Sequence, residues 1–277
     1  MKRFFTIPGI TAAAILLLTV SCRRLVFENR DECPRYLSFH IVNGEQFAPS
    51  DSLFATVYRQ PEDVLVASEQ TRVGDIGNFR FAVKRAESWS GYGLTGMQGS
   101  HLEGDAQWTM DLGAQSAPFY RFAYSVEEFD DSRTVPVEMM KEHANVCIRF
   151  LGFDEAPFPF EPLVRGTVCG IDGKTGKSIP GPFLYRPPEE PGATFHFRLP
   201  RQIGDGLTLE LWAKNGLYIR EGLIDTLNLS ALLHEKGRVD WQAKNLPDIY
   251  LEIDYVTSEC KIEVMDWEET SELHFEI

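Results

Sequence analysis

The sequence predicts an all-β chain built as two β-sandwiches, and three observations point there. Short segments of alternating apolar and polar residues recur from Tyr36 almost to the C-terminus. Gly, Pro and Asn punctuate them at strand-length intervals. Only Ser230 to Lys236 carries the marks of a helix, with Asn228 or Ser230 to cap it and Gly237 to stop it. The 277 residues suit two sandwiches better than one, and the division is expected near Val135, giving sandwiches over 36–135 and 136–277.

The N-terminus precedes that pattern. Lys2 and Arg3 lead into an apolar run, Ile10 to Val20, which is too short for a bilayer requiring about 20 residues. Its layout is that of a secretory signal peptide. Leu18-Thr19-Val20-Ser21-Cys22 reads as a lipobox: residues 1–21 would be removed, and Cys22 would carry a thioether-linked diacylglycerol and an N-acyl chain. Such chains hold a protein at a membrane because each buried methylene contributes about 0.8 kcal/mol. The plain alternative is an ordinary signal peptide with an incidental cysteine. Arg23 and Arg24, rather than an aspartate, follow Cys22, which points to the outer membrane. Residues 22–35 are polar and read as a tether.

The first set of strands then unfolds in order. Leu37, Phe39 and Ile41 alternate with Ser38 and His40, and Asn43-Gly44 supplies a turn. Leu53, Ala55 and Val57 repeat the pattern, Asp63 to Ala67 offers a short partner, and Phe79, Phe81 and Val83 alternate again. The glycine-rich stretch from Gly91 to Gly104 reads as a surface loop. Phe119 to Val126 closes the set. The second set comprises Val146 to Phe150, Leu163 to Gly170, Phe195 to Leu199, Leu207 to Ala213, Leu217 to Leu227, Ile249 to Tyr255 and Cys260 to Val264. The last seven residues, 271–277, also alternate. As a strand they would either complete the chain's own sheet or add to another protein's, with Leu273, Phe275 and Ile277 filling pockets.

Loss of Lys2 and Arg3 with the signal leaves 25 basic against 41 acidic residues, a net charge of −16. That balance opposes nucleic acid as a partner, which needs a basic face. Gly170 to Ser178 resembles a phosphate loop but places Ile171 where its first glycine belongs, and no helix follows, so it reads as a hairpin turn and not a nucleotide site. The six histidines lie in six separate segments without metal or catalytic spacing, and His40, His196 and His274 should face outward on strands. No cofactor is expected. With 41 acidic residues a catalytic carboxylate pair is not singled out by any motif. Beyond Cys22, the cysteines Cys33, Cys147, Cys169 and Cys260 allow three disulfide pairings in an exported chain, or stand as free thiols; their scatter gives no metal cluster. Exposed tryptophans, Trp89 and Trp108 among them, could stack sugars, although sandwich tryptophans are more often core.

Several short motifs together resemble one family. Cys22 followed by Arg30-Asp31-Glu32-Cys33-Pro34 and the strand Tyr36 to Val42 is similar to the start of FimB-like anchor subunits of type V (Bacteroidia-type) fimbriae. Trp89-Ser90-Gly91, Gly170-Ile171-Asp172 with Thr175-Gly176, Phe197-Arg198-Leu199-Pro200-Arg201, Trp241, Leu246-Pro247-Asp248-Ile249, Ile253-Asp254-Tyr255 and Val264-Met265-Asp266-Trp267 extend the resemblance across the mature chain; residues 92–118 match least. The resemblance implies two transthyretin-like β-sandwich domains and no enzyme activity. It also implies a lipid-anchored minor subunit that holds the shaft to the outer membrane and limits its length. Its partner would be the major shaft subunit, joined by donated strands. The contrasting expectation is a surface glycan-binding lipoprotein.

Overall fold

The computed structural model describes residues 35–265, apart from 85–86, 130–131, 154–156, 215–221, 236–238, 255–256 and 258. The first half contributes β1 (Arg35–Ile41), β2 (Ser52–Gln60), β3 (Val64–Arg72), β4 (Phe81–Val83), β5 (Ser88–Thr95), β6 (Ser100–Glu103), β7 (Gln107–Met110), β8 (Tyr120–Val126), β9 (Arg133–Val137) and β10 (Met140–Lys141). The second contributes β11 (His143–Leu151), β12 (Phe160–Asp172), β13 (Ser178–Tyr185), β14 (Thr194–Pro200), β15 (Thr208–Ala213), β16 (Leu223–Asn228), the helix α1 (Leu229–Glu235), β17 (Asp248–Asp254) and β18 (Glu259–Met265). The fold is all-β, as the alternation predicts, and the helix falls within one residue of its expected place. Asn228 caps it, its Oδ1 accepting from Ala231 N at 2.9 Å.

Two sheets make the first sandwich. One has the order β4-β1-β9, the other β10-β8-β5-β2-β3. Odd-numbered residues of β1 and β2 point between them: Leu37, Phe39, Leu53, Ala55 and Val57 are fully buried in one core with Trp89 and Phe122. In β5 the inward positions include Gly91 and Gly93, and the rings of Tyr124 and Phe122 occupy the space their side chains would take. Even-numbered residues of the same strands, Tyr58, Tyr92 and Leu94, are equally buried on the opposite face. The five-stranded sheet is therefore covered on both sides.

The cover is the second sandwich, whose sheets run β14-β11-β17-β18 and β16-β15-β12-β7-β6, with β13 on the free side of β12. Its core joins Val146, Ile148, Phe150, Phe195, Leu209, Leu251 and their neighbours to Tyr58, Tyr92, Trp108 and Phe119 from the first half.

Two expectations change here. The stretch around Gly93–Gly104 is not a surface loop: it supplies the central strand β5 and then the hairpin β6–β7, whose second strand pairs with the end of β12 (Thr109 with Gly170, Trp108 with Ile171). The division expected near Val135 falls inside β9, which runs parallel to β1 from Arg133 to Val137. The sheets are thus not separated at that point of the sequence. β13 was hidden by Pro180 and Pro182; it lies at the sheet edge, paired to β12 through two register shifts, where proline is tolerated.

Candidate functional site

Where the halves meet, the structure gathers its most chemically loaded residues. The turn between β12 and β13 is the first component. Asp172 Oδ1 accepts from Thr175 N at 2.7 Å and from its hydroxyl at 2.9 Å, which fixes the turn. A β-carbon at Gly170 would stand 2.1 Å from Trp108 O, at Gly173 2.3 Å from the Tyr92 ring, and at Gly176 2.3 Å from the Arg121 guanidinium. The three glycines of the phosphate-loop look-alike are accounted for by close approach of residues from the first half of the chain, Trp108 of β7 at Gly170 and Tyr92 and Arg121 of the first sandwich at Gly173 and Gly176. It is a hairpin turn, as its spacing indicates. Around it, Tyr58 and Tyr92 hydroxyls donate to Asp105 O at 2.8 and 2.9 Å, and Trp108 Nε1 donates to the Tyr92 hydroxyl at 3.2 Å. Burial holds the Tyr92 hydroxyl up at about 12, so it stays protonated. Lys174 crosses the seam, 3.7 Å from the Tyr58 ring centroid and 2.8 Å from Asp63 Oδ2.

Beside the turn lies a buried ion network. Glu142, between β10 and β11, receives Arg121 Nε from β8 on Oε1 at 3.0 Å and Arg201 Nη2 on Oε2 at 2.7 Å. Arg201 also donates to the carbonyls of Trp241 and Ala243 at 2.6 and 2.8 Å. Lys141 Nζ meets Asp248 Oδ1. The His143 ring is enclosed with its Nδ1 donating to Phe119 O at 3.1 Å. Burial above all pushes that imidazole down to about 3, so it is neutral. Arg121, Glu142, Arg201, Lys177 and Lys244 line a cleft of about 440 Å³ between the halves. Sequence reading missed this network because its members lie far apart in the chain and match no catalytic or ligand motif; Arg201 and Asp248 entered only as parts of the short segments that carry the resemblance.

The sites expected from sequence fall as follows. Cys22 and Cys33, the tether's residues before Arg35, and the terminal Leu273, Phe275 and Ile277 lie outside the described residues. No disulfide joins Cys147, Cys169 and Cys260 to one another. Cys147 sits opposite His196 across β11 and β14, and His196 Nδ1 is 2.9 Å from Glu190 Oε2. This invites a nucleophile reading, but burial pushes the Cys147 thiol up to about 11, leaving it protonated and unreactive at neutral pH. His40 and His196 point away from the cores as expected; His274 is outside the described residues. Trp89 and Trp108 are 2% and 7% exposed. Both are core residues, so neither presents a platform for a sugar, and the glycan-stacking expectation for them is corrected. Among the described residues no group of three or more His, Cys, Asp or Glu could hold a metal ion, and no helix is long and apolar enough to cross a membrane.

Open sheet edges complete the picture. Among the described residues β3 pairs only with β2, and it exposes Val64, Leu65 and Val66, while β16 exposes Leu223 and Ile224.

No protein-family model and no curated protein sequence matches the chain. Solved structures do. A proposed polysaccharide-binding protein from Bacteroides thetaiotaomicron VPI-5482 matches 86% of this chain and 100% of its own, with a TM-score of 0.61 at 10% identity. A proposed adhesin from the same organism matches 85% of this chain and 97% of its own, with a TM-score of 0.57 at 14% identity. The fimbrial anchor protein Mfa2 from Porphyromonas gingivalis matches 85% of this chain and 98% of its own, with a TM-score of 0.56 at 12% identity. The resemblance to fimbrial minor subunits read from short motifs is met at the level of architecture: this chain has the fold of the fimbrial anchor Mfa2 and of these adhesin-type proteins.

Proposed function

We propose that this protein is a lipid-anchored minor fimbrial subunit, held in the outer membrane through Cys22, that attaches the fimbrial shaft to the cell surface and limits its length. The observation that carries the reading is the fold shared with a fimbrial anchor over nearly the whole of both chains. The lipobox at Cys22 supports it independently, because an anchor needs a membrane attachment. The alternating segment 271–277 supports attachment by strand addition, with Leu273, Phe275 and Ile277 entering the first shaft subunit. The role is mechanical and involves no catalysis, and the net charge of −16 left after removal of residues 1–21 suits a surface protein with no nucleic-acid partner.

Electron microscopy of cells and culture supernatant from a Cys22→Ala strain tests the anchor. Shed or abnormally long fimbriae are expected; fimbriae indistinguishable from wild type would refute it. Deleting residues 271–277 tests the joint. The truncated protein should keep its thermal transition and release shafts, whereas unfolding would assign the segment to the protein's own sheet.

A further inference from the structure

Lys141 is wholly buried, and its amine meets the carboxylate of Asp248, which is 4% exposed. The two residues come from different sheets and meet where the halves join. Lys141 ends β10, just before β11, and Asp248 opens β17, whose next residue, Ile249, pairs with Val146. Three backbone hydrogen bonds fix both ends. Lys141 N donates to Asn245 Oδ1 at 2.9 Å, Leu246 N donates to Lys141 O at 3.0 Å, and Asn145 N donates to Asp248 Oδ1 at 2.9 Å. Amine and carboxyl therefore stand in contact, buried from solvent, at a junction between two sheets that these hydrogen bonds hold closed.

Burial penalises both charges of such a pair. Passing one proton from the ammonium to the carboxylate removes both, leaving a nucleophilic amine against a carboxylic acid. The tendency is visible in the lysine, which burial holds below its ordinary range against the opposing pull of Asp248. Condensation of amine and acid is unfavourable between free molecules in water. Groups held in contact react with effective concentrations of roughly 10⁵–10⁸ M, and a dry site keeps out the water that would reverse the step.

We propose that Lys141 and Asp248 form an intramolecular isopeptide bond. In the step one proton passes from the Lys141 ammonium to Oδ2 of Asp248, the freed Nζ lone pair attacks Cγ, and the Nζ–Cγ bond forms. The Cγ–Oδ2 bond then breaks, and the departing hydroxyl takes a proton from the nitrogen and leaves as water. Oδ1 remains as the amide carbonyl. The Asn145 N–H already directed at it stabilises the negative charge that this oxygen carries in the tetrahedral intermediate. Nothing is oxidised or reduced, and no further reactant enters. The product fastens the segment linking the two sandwiches to a central strand of the second. It closes covalently a loop whose ends lie 107 positions apart, which reduces the freedom of the unfolded chain as a disulfide would.

Peptide mapping and mass measurement of the mature protein isolated from cells test the bond, and they do so whether or not the fimbrial reading holds. The expected result is a branched tryptic peptide joining the segments that contain Lys141 and Asp248, lighter by one water than their sum. Cleavage after Lys141 should be absent. In Lys141→Arg and Asp248→Ala variants the branched peptide should vanish and the two segments appear separately. If these variants do not fold, the wild-type map still decides. Linear peptides carrying an unmodified Lys141 and an unmodified Asp248 in the folded wild-type protein would overturn the proposal and leave an ordinary ion pair.

Discussion

At Gly93 a β-carbon would stand 2.2 Å from the Phe122 ring, which lies across the strand and fills the first core. Gly93→Ala is expected to destabilise by about 1–3 kcal/mol, the usual cost of overpacking, read as a lower denaturation midpoint with an unchanged slope. Pairing it with Phe122→Leu should restore part of the loss, because the three nearest atoms all belong to that ring. His143 bears on pH. Its folded-state value of about 3 lies below the ordinary 6.5, so the unfolded chain binds the extra proton between those values. Its contribution is therefore complete above pH 6.5 and is lost progressively as the pH falls towards 3. Unfolding titrations should show stability falling on acidification by as much as roughly 1.4 kcal/mol per pH unit from this one group. His143→Gln should flatten the slope across that window. A slope that does not change would show that other groups carry the acid sensitivity.

The elements differ in how plainly the sequence announces them. β1, β2, β8, β11, β14, β15 and β17 are each covered on one face more than the other, so their two-residue alternation is explicit and predicts them to within three residues at each end. The hairpin β6–β7 and the edge strand β13 are concealed by the residues their surroundings require. Glycine at position 170 admits the backbone of β7, and prolines are harmless along an edge. Local pattern reports what a residue does within its own strand and is silent on what approaches from elsewhere. Gly170→Val tests the hairpin's role, since its β-carbon would meet Trp108 O at 2.1 Å. Hydrogen exchange should then quicken at Trp108 and Thr109 and at the end of β12, while β1 and β2 retain their protection. Uniform loss of protection would show that the hairpin is needed by the entire fold.

At the scale of the whole molecule, Glu142 is the central tie, one carboxylate shared by an arginine from each side of the seam. Removing it strands two nearly buried guanidinium groups. Glu142→Ala is expected to cost about 3–5 kcal/mol and to divide a single thermal transition into two, as calorimetry would resolve. One sharp transition at lower temperature would mean that the shared apolar core alone couples the halves. None of this coupling was legible beforehand, because Arg121, Glu142 and Arg201 acquire their meaning only from proximity in the fold. The crossing of the hairpin into the second sandwich has a consequence for how the chain is made. β7 can find its partner only after the ribosome has delivered Gly170 and Ile171, so Trp108 and Met110 must wait without the strand that completes their cover while the intervening strands are still being produced. The first half therefore cannot mature by itself, and any factor that guards the nascent chain should bind most persistently at residues 100–110.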